Sequence, residues 1–494
     1  MNRFSIITLT LILSLSTNVL ARDWSAYTSK NLVIYTDKDQ KTAKRLLADL
    51  EVFRRTVLLF TGIPDRPENN RLRILLYGNG NEFKKLGINS QIVGIYFQTS
   101  SGPRMVIRPS LYSFTDDVLF HEYVHYLLRE HSDGEYPRWY DEGIAEVFAS
   151  IKIKKKKIVF GASSGRGTRV RRQNLLPIEL LIDPNSSIEP PRNNAGFYAT
   201  AWFFVHYLQI GTFVENTDLK DRTQAYLQRY SRGENPVAAF EKSFGMTMAE
   251  MDLALNDYKD GRTIPVINIP KQKYGAAIKQ SKLSRGEEAD MLANIALHFD
   301  KVDFALTYLS KAEDSKDTSA RALSLQAMLE DRKGNTGEAN RLRDTVFSFA
   351  EEDSVVFSHL AGMEWNRYQK SAAAGSGDRD SLHAALEFGA QSTSLDPSNL
   401  DAHRYSWKAH AASGSATDAA KSMMAAFELQ PKNLPLNLEI GSYLAGDGLI
   451  DLARPFLERV VKWTHDDEQK ATAELLLSRH LSAPLVDADS KLSE

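Results

Sequence analysis

The spacing of apolar residues changes several times along the chain, and each change predicts an element. Asn31-Leu-Val-Ile-Tyr35 is a short apolar run with a β-branched centre and predicts a strand. Between Lys41 and Phe60, Leu46, Leu47, Leu50, Phe53 and Val57 fall on one helical face. Residues 71–77 predict another strand, and 92–97 with 104–107 a hairpin across Ser100-Ser-Gly-Pro103. A helix is predicted from about Phe114 to Arg129, introduced by Pro109 with Ser113 and Thr115 as capping-type residues. A small sheet that gives way to helices is an α+β order. Ile151 to Phe160, with four consecutive lysines between β-branched residues, predicts a second hairpin whose charged edge resists pairing with other strands. Gly196 to Leu208 is strongly helical, and helical signals continue to about Tyr258. Residues 262–273 then lose helical period and carry Pro265 and Pro270, which predicts a linker.

Beyond that point the pattern is almost wholly helical, and it repeats. Ala305 recurs as Ala339, and Ala419 as Ala453, each at a period of about 34 residues. Leu395-Asp-Pro397 recurs at the same interval as Leu429-Gln-Pro431, and Gly414 recurs as Gly448. Ala339 and Ala385 stand further apart than one period, and the low-complexity stretch Ser371–Asp378 is expected to supply the surplus as a surface loop. A helix-turn-helix period of this length, with small residues where helices cross, resembles the tetratricopeptide repeat. Each helix pair in such an array has an apolar face that only the next pair can cover. The expected division is a signal segment over 1–21, a first domain over 22–262, a linker over 263–284 and helical repeats over 285–480.

The N-terminus changes the expected compartment. Arg3, an apolar run from Phe4 to Leu15, and a small-residue cleavage site at Ala21 make the pattern of a secretory signal, and the run is too short for a membrane span. The expected location is periplasmic or secreted, with no integral membrane span beyond the signal. With 494 residues the chain is long enough for two or three domains, and its formal charge of −2 advertises no nucleic-acid surface. The lysines at 154–157 and the arginines Arg166, Arg169, Arg171 and Arg172 read as solvated faces, against the alternative of surfaces that meet an acidic substrate or envelope polymer. The chain contains no Cys, which excludes disulfides, a thiol nucleophile and cysteine-ligated zinc.

Candidate chemistry is concentrated in His121-Glu122-Tyr123-Val124-His125. On a helix, residues i and i+4 share a face, so the two imidazoles can converge on one metal ion with Glu122 beside it. A zinc centre needs a third protein ligand. His131 stands where a metzincin places its third His, but that pattern needs a Gly where Leu128 stands. Trp139-Tyr-Asp-Glu-Gly-Ile-Ala-Glu146 resembles the second zinc helix of the gluzincin peptidases. That resemblance implies Glu142 as the third ligand and Glu146 as a carboxylate accepting a hydrogen bond from metal-bound His121; the two carboxylates can also exchange roles.

Taken together, the motifs resemble a gluzincin zinc metallopeptidase of the peptidase MA-like superfamily with tetratricopeptide repeats behind it. The resemblance implies an α+β zincin-like metallopeptidase domain followed by an all-α tetratricopeptide-repeat solenoid. It implies zinc as cofactor, Glu122 activating zinc-bound water, and a peptide or protein as substrate. Tyr198 and His206, on one face of the helix after the zinc helices, are candidates to steady the oxyanion, against the plain alternative of an aromatic core face. The repeats are expected to bind a protein partner. Two rival functions follow from the same residues: a non-catalytic repeat scaffold binding envelope proteins, and a zinc hydrolase acting on a non-peptide amide.

Overall fold

The computed structural model describes residues 23–478, apart from 67–70, 89–91, 109–113, 133, 163–173, 184–194, 212, 214–216, 262, 274, 276, 350–351 and 465. The expected signal segment at 1–21 and the arginine cluster at 166–172 lie outside the described residues, as do Pro109 and Ser113.

The first unit is built on β1 (Ser25–Thr28), β2 (Leu32–Thr36), α1 (Gln40–Thr61), β3 (Leu72–Leu76), α2 (Gly80–Lys84), β4 (Gly94–Thr99) and β5 (Gly102–Ile107). Strands β2, β3 and β5 run parallel, whereas β4 lies antiparallel to β5 at one edge of the sheet. Asp39 starts α1 by accepting from the Thr42 amide, and Gly62 ends it in the left-handed region at φ 71°. The helix lays Ala43, Leu46, Leu47, Leu50, Phe53 and Val57 on the sheet, all buried. Burying each such large apolar side chain contributes about 1.5–3 kcal/mol.

Two helices then carry the candidate chemistry, α3 (Phe114–His131) and α4 (Arg138–Ala149). A short hairpin, β6 (Lys152–Ile153) with β7 (Lys157–Phe160), follows where the lysine-rich stretch predicts one. Helices α5 (Glu179–Ile182), α6 (Ala195–His206), α7 (Leu219–Ser231), α8 (Pro236–Phe244) and α9 (Met248–Asp260) complete the layer, with α6 running into a π-helical turn at Tyr207–Gly211.

The stretch expected to be a linker is partly ordered into strands. β8 (Ile267–Pro270) adds to β7, and β9 (Lys279–Lys282) pairs with β1 to become the sixth strand of the main sheet. The prolines do not prevent this, because Pro265 precedes the strand and Pro270 sits at its last residue on a sheet edge.

From Arg285 the fold is a stack of helix pairs: α10 (Arg285–His298) with α11 (Val302–Asp314), α12 (Ala320–Lys333) with α13 (Thr336–Val346), α14 (Ser354–Ala373) with α15 (Arg379–Leu395), α16 (Leu400–Ala412) with α17 (Ala416–Leu429), and α18 (Leu434–Gly446) with α19 (Ile450–Trp463). Helix α20 (Asp467–Ser478) packs on the last pair. Ala305, Ala339, Ala385, Ala419 and Ala453 are all buried, one on the second helix of each pair, where a larger side chain would hold the helices apart. The wide interval between Ala339 and Ala385 has a different origin from the loop expected of Ser371–Asp378. The surplus mainly lengthens α14 and α15, to 20 and 17 residues, leaving only 374–378 as the turn.

The chain is therefore mostly helical, and no described helix is long and apolar enough to cross a membrane. One apolar cluster joins Trp24, Leu75, Tyr77, Phe97 and Val106 of the sheet unit to Leu292, Ile295, Leu309 and Leu325 of the first repeats.

Candidate metal centre

Helices α3 and α4 cross with their apolar faces buried together, and that crossing sets the site. Val124, Leu127 and Leu128 of α3 are buried against the core, as is every residue of α4 from Trp139 to Ala149. Close approach on the other side of α4 depends on Gly143. A Cβ built there would lie 2.5 Å from the Ala201 carbonyl oxygen and 2.6 Å from a Val205 methyl on α6. Only glycine lets α4 seat at this depth.

The crossing brings His121, His125 and Glu142 together, with one ligand atom from each within 4.8 Å of the others. Their separations are 3.1 Å between the two Nε2 atoms, 3.3 Å from His121 Nε2 to Glu142 Oε2, and 3.6 Å from His125 Nε2 to the same oxygen. A tetrahedral zinc ion with bonds of ~2.0–2.2 Å requires ligand–ligand edges of about 3.3–3.6 Å. The donor set fits that ion in chemistry and in size.

Carboxylates stand behind both imidazoles. Glu146 Oε1 is 3.4 Å from His121 Nδ1, and Asp141 Oδ1 is 2.8 Å from His125 Nδ1. Arg129 in turn lies 3.3 Å from the other Asp141 oxygen. With Nδ1–H donating to a carboxylate, each ring turns the lone pair of Nε2 toward the centre. Burial is the largest influence on these groups and works against charge, but the carboxylates outweigh it on the histidines. His125 is pushed up to about 10 by Asp141 and Glu142, and His121 is raised by Glu142 and Glu146. Burial raises Glu142 as well, yet the hydrogen bonds and charges of the two histidines hold it well below the usual carboxylate range. A cluster of such concentrated negative charge around buried imidazoles favours a bound cation, whether proton or metal.

Asp141 is not among the candidates that the sequence suggests, because its role depends on how α3 and α4 cross. The one signal is its position, next to Glu142 and one turn before Ala145 on a fully buried helix.

The remaining candidates separate. Glu122 is half-buried beside the cluster, and its carboxylate accepts from the Tyr96 amide of edge strand β4 at 3.2 Å. Tyr198 lines a cavity of about 650 Å³ that also touches Glu142, Arg138 and Tyr136. His206 lies elsewhere. It is fully buried, with Nε2 3.0 Å from the Gly161 carbonyl and Nδ1 3.1 Å from the Tyr258 hydroxyl. Both its ring nitrogens are engaged in the core, so it is not placed to steady an oxyanion. His131, the rival third ligand, is buried against Tyr126 and lies outside the three-residue cluster.

No protein-family model matches this chain, and no characterised protein matches it in sequence. Among solved structures, the crystal structure of MamA aligns with 36% of this chain and 96% of its own, at 14% identity and a TM-score of 0.26. The crystal structure of the APC/C hetero-tetramer Cut9–Hcn1 aligns with 61% of this chain and 51% of its own, at 13% identity and a TM-score of 0.31. Both are tetratricopeptide-like repeat proteins. The expected membership in the gluzincin peptidases, and the enzyme class that came with it, are corrected: no peptidase family model matches the chain.

Proposed function

We propose that this chain is an exported, protein-binding repeat scaffold whose sheet-bearing unit holds one zinc ion between His121, His125 and Glu142. The observation that carries the metal part is the meeting of three donor atoms at tetrahedral spacing, with Asp141 and Glu146 backing the two imidazoles. The helix pairs stacked behind the sheet unit support the scaffold part, since such arrays present extended surfaces to proteins. Apolar side chains exposed on the last pairs, among them Met424, Leu449 and Leu452, suit a protein partner.

The first test is metal content. Purified wild-type protein is expected to carry one zinc per chain, Glu142→Ala to lose it, and His131→Ala to keep it. Absence of zinc from wild type after reconstitution would refute the metal reading. For the scaffold, a photo-reactive residue at Leu452, which is 59% exposed, is expected to cross-link to another protein in the exported compartment. Cross-linking to no protein there, while the same group at exposed Leu59 of the sheet unit gives adducts, would sink that part.

A further inference from the structure

The stack of helix pairs curves back, and its far end touches the sheet unit again. Ser100 Oγ donates to Asp401 at 2.5 Å, and the Ser100 carbonyl accepts from the Gln430 side chain at 3.1 Å. Asn433 donates to the Thr99 carbonyl at 3.2 Å, and the Leu434 amide donates to the Gln98 side chain at 3.0 Å. Lys432 reaches the carbonyls of Glu130 and Ser132 at the C-terminal end of α3, where a cation also complements the helix dipole. Lys462 lies 3.4 Å from Glu135. These contacts join segments from opposite ends of the chain.

The two ends of the solenoid are attached by different physics. The first repeats share an apolar cluster with the sheet. The clusters of the later repeats draw no residue from the sheet unit. Among the described residues, the far-end attachments above are hydrogen bonds and an ion pair, most of them partly exposed. Apolar burial makes a permanent joint, whereas polar contacts that water can replace are worth little net and open readily.

Behind this polar contact lies the cavity that touches Glu142. Its inner wall carries Arg138 and Tyr198, and its outer wall is Val461, Trp463 and Lys470 of the last helices. We infer that the turn 98–101 and the end of α3 are the partner, in cis, of the far repeats, and that this clasp governs access to the metal centre. Closed, it seats the last helices over the cavity; open, it leaves the cavity facing solvent while the first repeats stay joined to the sheet. The clasp rests on the zinc reading for one of its readouts only.

The absence of Cys allows a clean test. In one variant, Ser100→Cys with Asp401→Cys is oxidised to lock the clasp, and the disulfide is confirmed by mass. In another, Gln430→Ala with Lys432→Ala removes two clasp donors and leaves Asn433, the N-cap of α18, in place. Zinc-loaded wild type and both variants are mixed with a chromophoric chelator, and the radius of gyration is measured by X-ray scattering. The locked protein is expected to release zinc at least tenfold more slowly than wild type. The loosened protein is expected to release it at least tenfold faster, with a larger radius and unchanged helix content. Equal release rates in zinc-loaded proteins would overturn the clasp. If wild type holds no zinc, the metal reading fails instead, and equal radii in the locked and loosened proteins would overturn the clasp on their own.

Discussion

Asp141 fixes the ring of His125 through Nδ1 at 2.8 Å and is itself held by Arg129, so removing its charge should loosen the metal rather than the fold. Asp141→Asn is expected to weaken zinc binding about 10–100-fold, the usual cost of losing such a supporting carboxylate, with little change in melting temperature. Competition against a chelator of known affinity measures it; unchanged affinity would show that His125 needs no such support. Gly143→Ala should act the opposite way, on the fold first. Its Cβ would press on the Ala201 backbone, which cannot swing aside, at a cost of about 1–3 kcal/mol in urea unfolding. His206 gives the pH dependence. Burial is the main cause that pushes it down to about 4, while an unfolded His titrates near ~6.5. The unfolded chain therefore binds a proton that the folded chain refuses. The contribution is fully present above pH ~6.5 and is lost as pH falls toward about 4, reaching about 3 kcal/mol. His206→Phe should flatten that part of the stability–pH curve, and an unaltered slope would assign it to other groups. At this scale helical spacing puts His121 and His125 on one face, whereas Glu142 meets them only through the crossing of α3 and α4. The sequence cannot separate His206 from Tyr198: both lie on one helical face, but α6 passes into a π turn and packs that end against Gly161 and Tyr258.

Helices and turns repeat more regularly in structure than in sequence. Gly334, Gly414 and Gly448 all take positive φ in the turn between the two helices of a pair, at 91°, 84° and 79°. Asp300 fills the same place in the first pair, one repeat before Gly334, and takes φ 55° although it carries a Cβ. A left-handed conformation costs an ordinary residue roughly 1–2 kcal/mol, less for Asp. Asp300→Gly is accordingly expected to stabilise the protein modestly, by up to about 1 kcal/mol, as a shift in the urea midpoint. A loss of stability would mean that the Asp300 side chain does more at that turn than its geometry requires. The repeat is legible from alanines and glycines because close helix packing and tight turns admit few alternatives. Strand β9 is not. Lys279-Gln-Ser-Lys282 is exposed throughout, with no alternation of apolar and polar residues, and only its partner β1 makes it a strand. The long third pair departs from the expected loop for a related reason: a low-complexity stretch looks like a loop, although Ser371–Ala373 continue α14 because alanine favours helix.

Across the whole molecule, cooperativity should follow the apolar clusters rather than the expected domain limits. The sheet unit and α10–α12 share one cluster, so neither can lose its packing without exposing the other's core. The last repeats bury a separate cluster centred on Trp407, Ile440, Leu457 and Val460. Between them lie two smaller clusters along α12–α16. The expected boundary between residues 262 and 285 is bridged by that shared cluster, a contact invisible in the sequence because contacts between remote segments carry no local pattern. Hydrogen exchange at increasing urea checks the consequence. Peptides from α16–α20 are expected to lose protection first, while peptides from β3, β5 and α10 lose it together at higher urea. Zinc should leave with the second group, since α3 and α4 belong to the sheet unit. Exchange of α10 together with α18 instead would mean that the repeats fold as one cooperative array and that the shared apolar cluster contributes less than its burial implies.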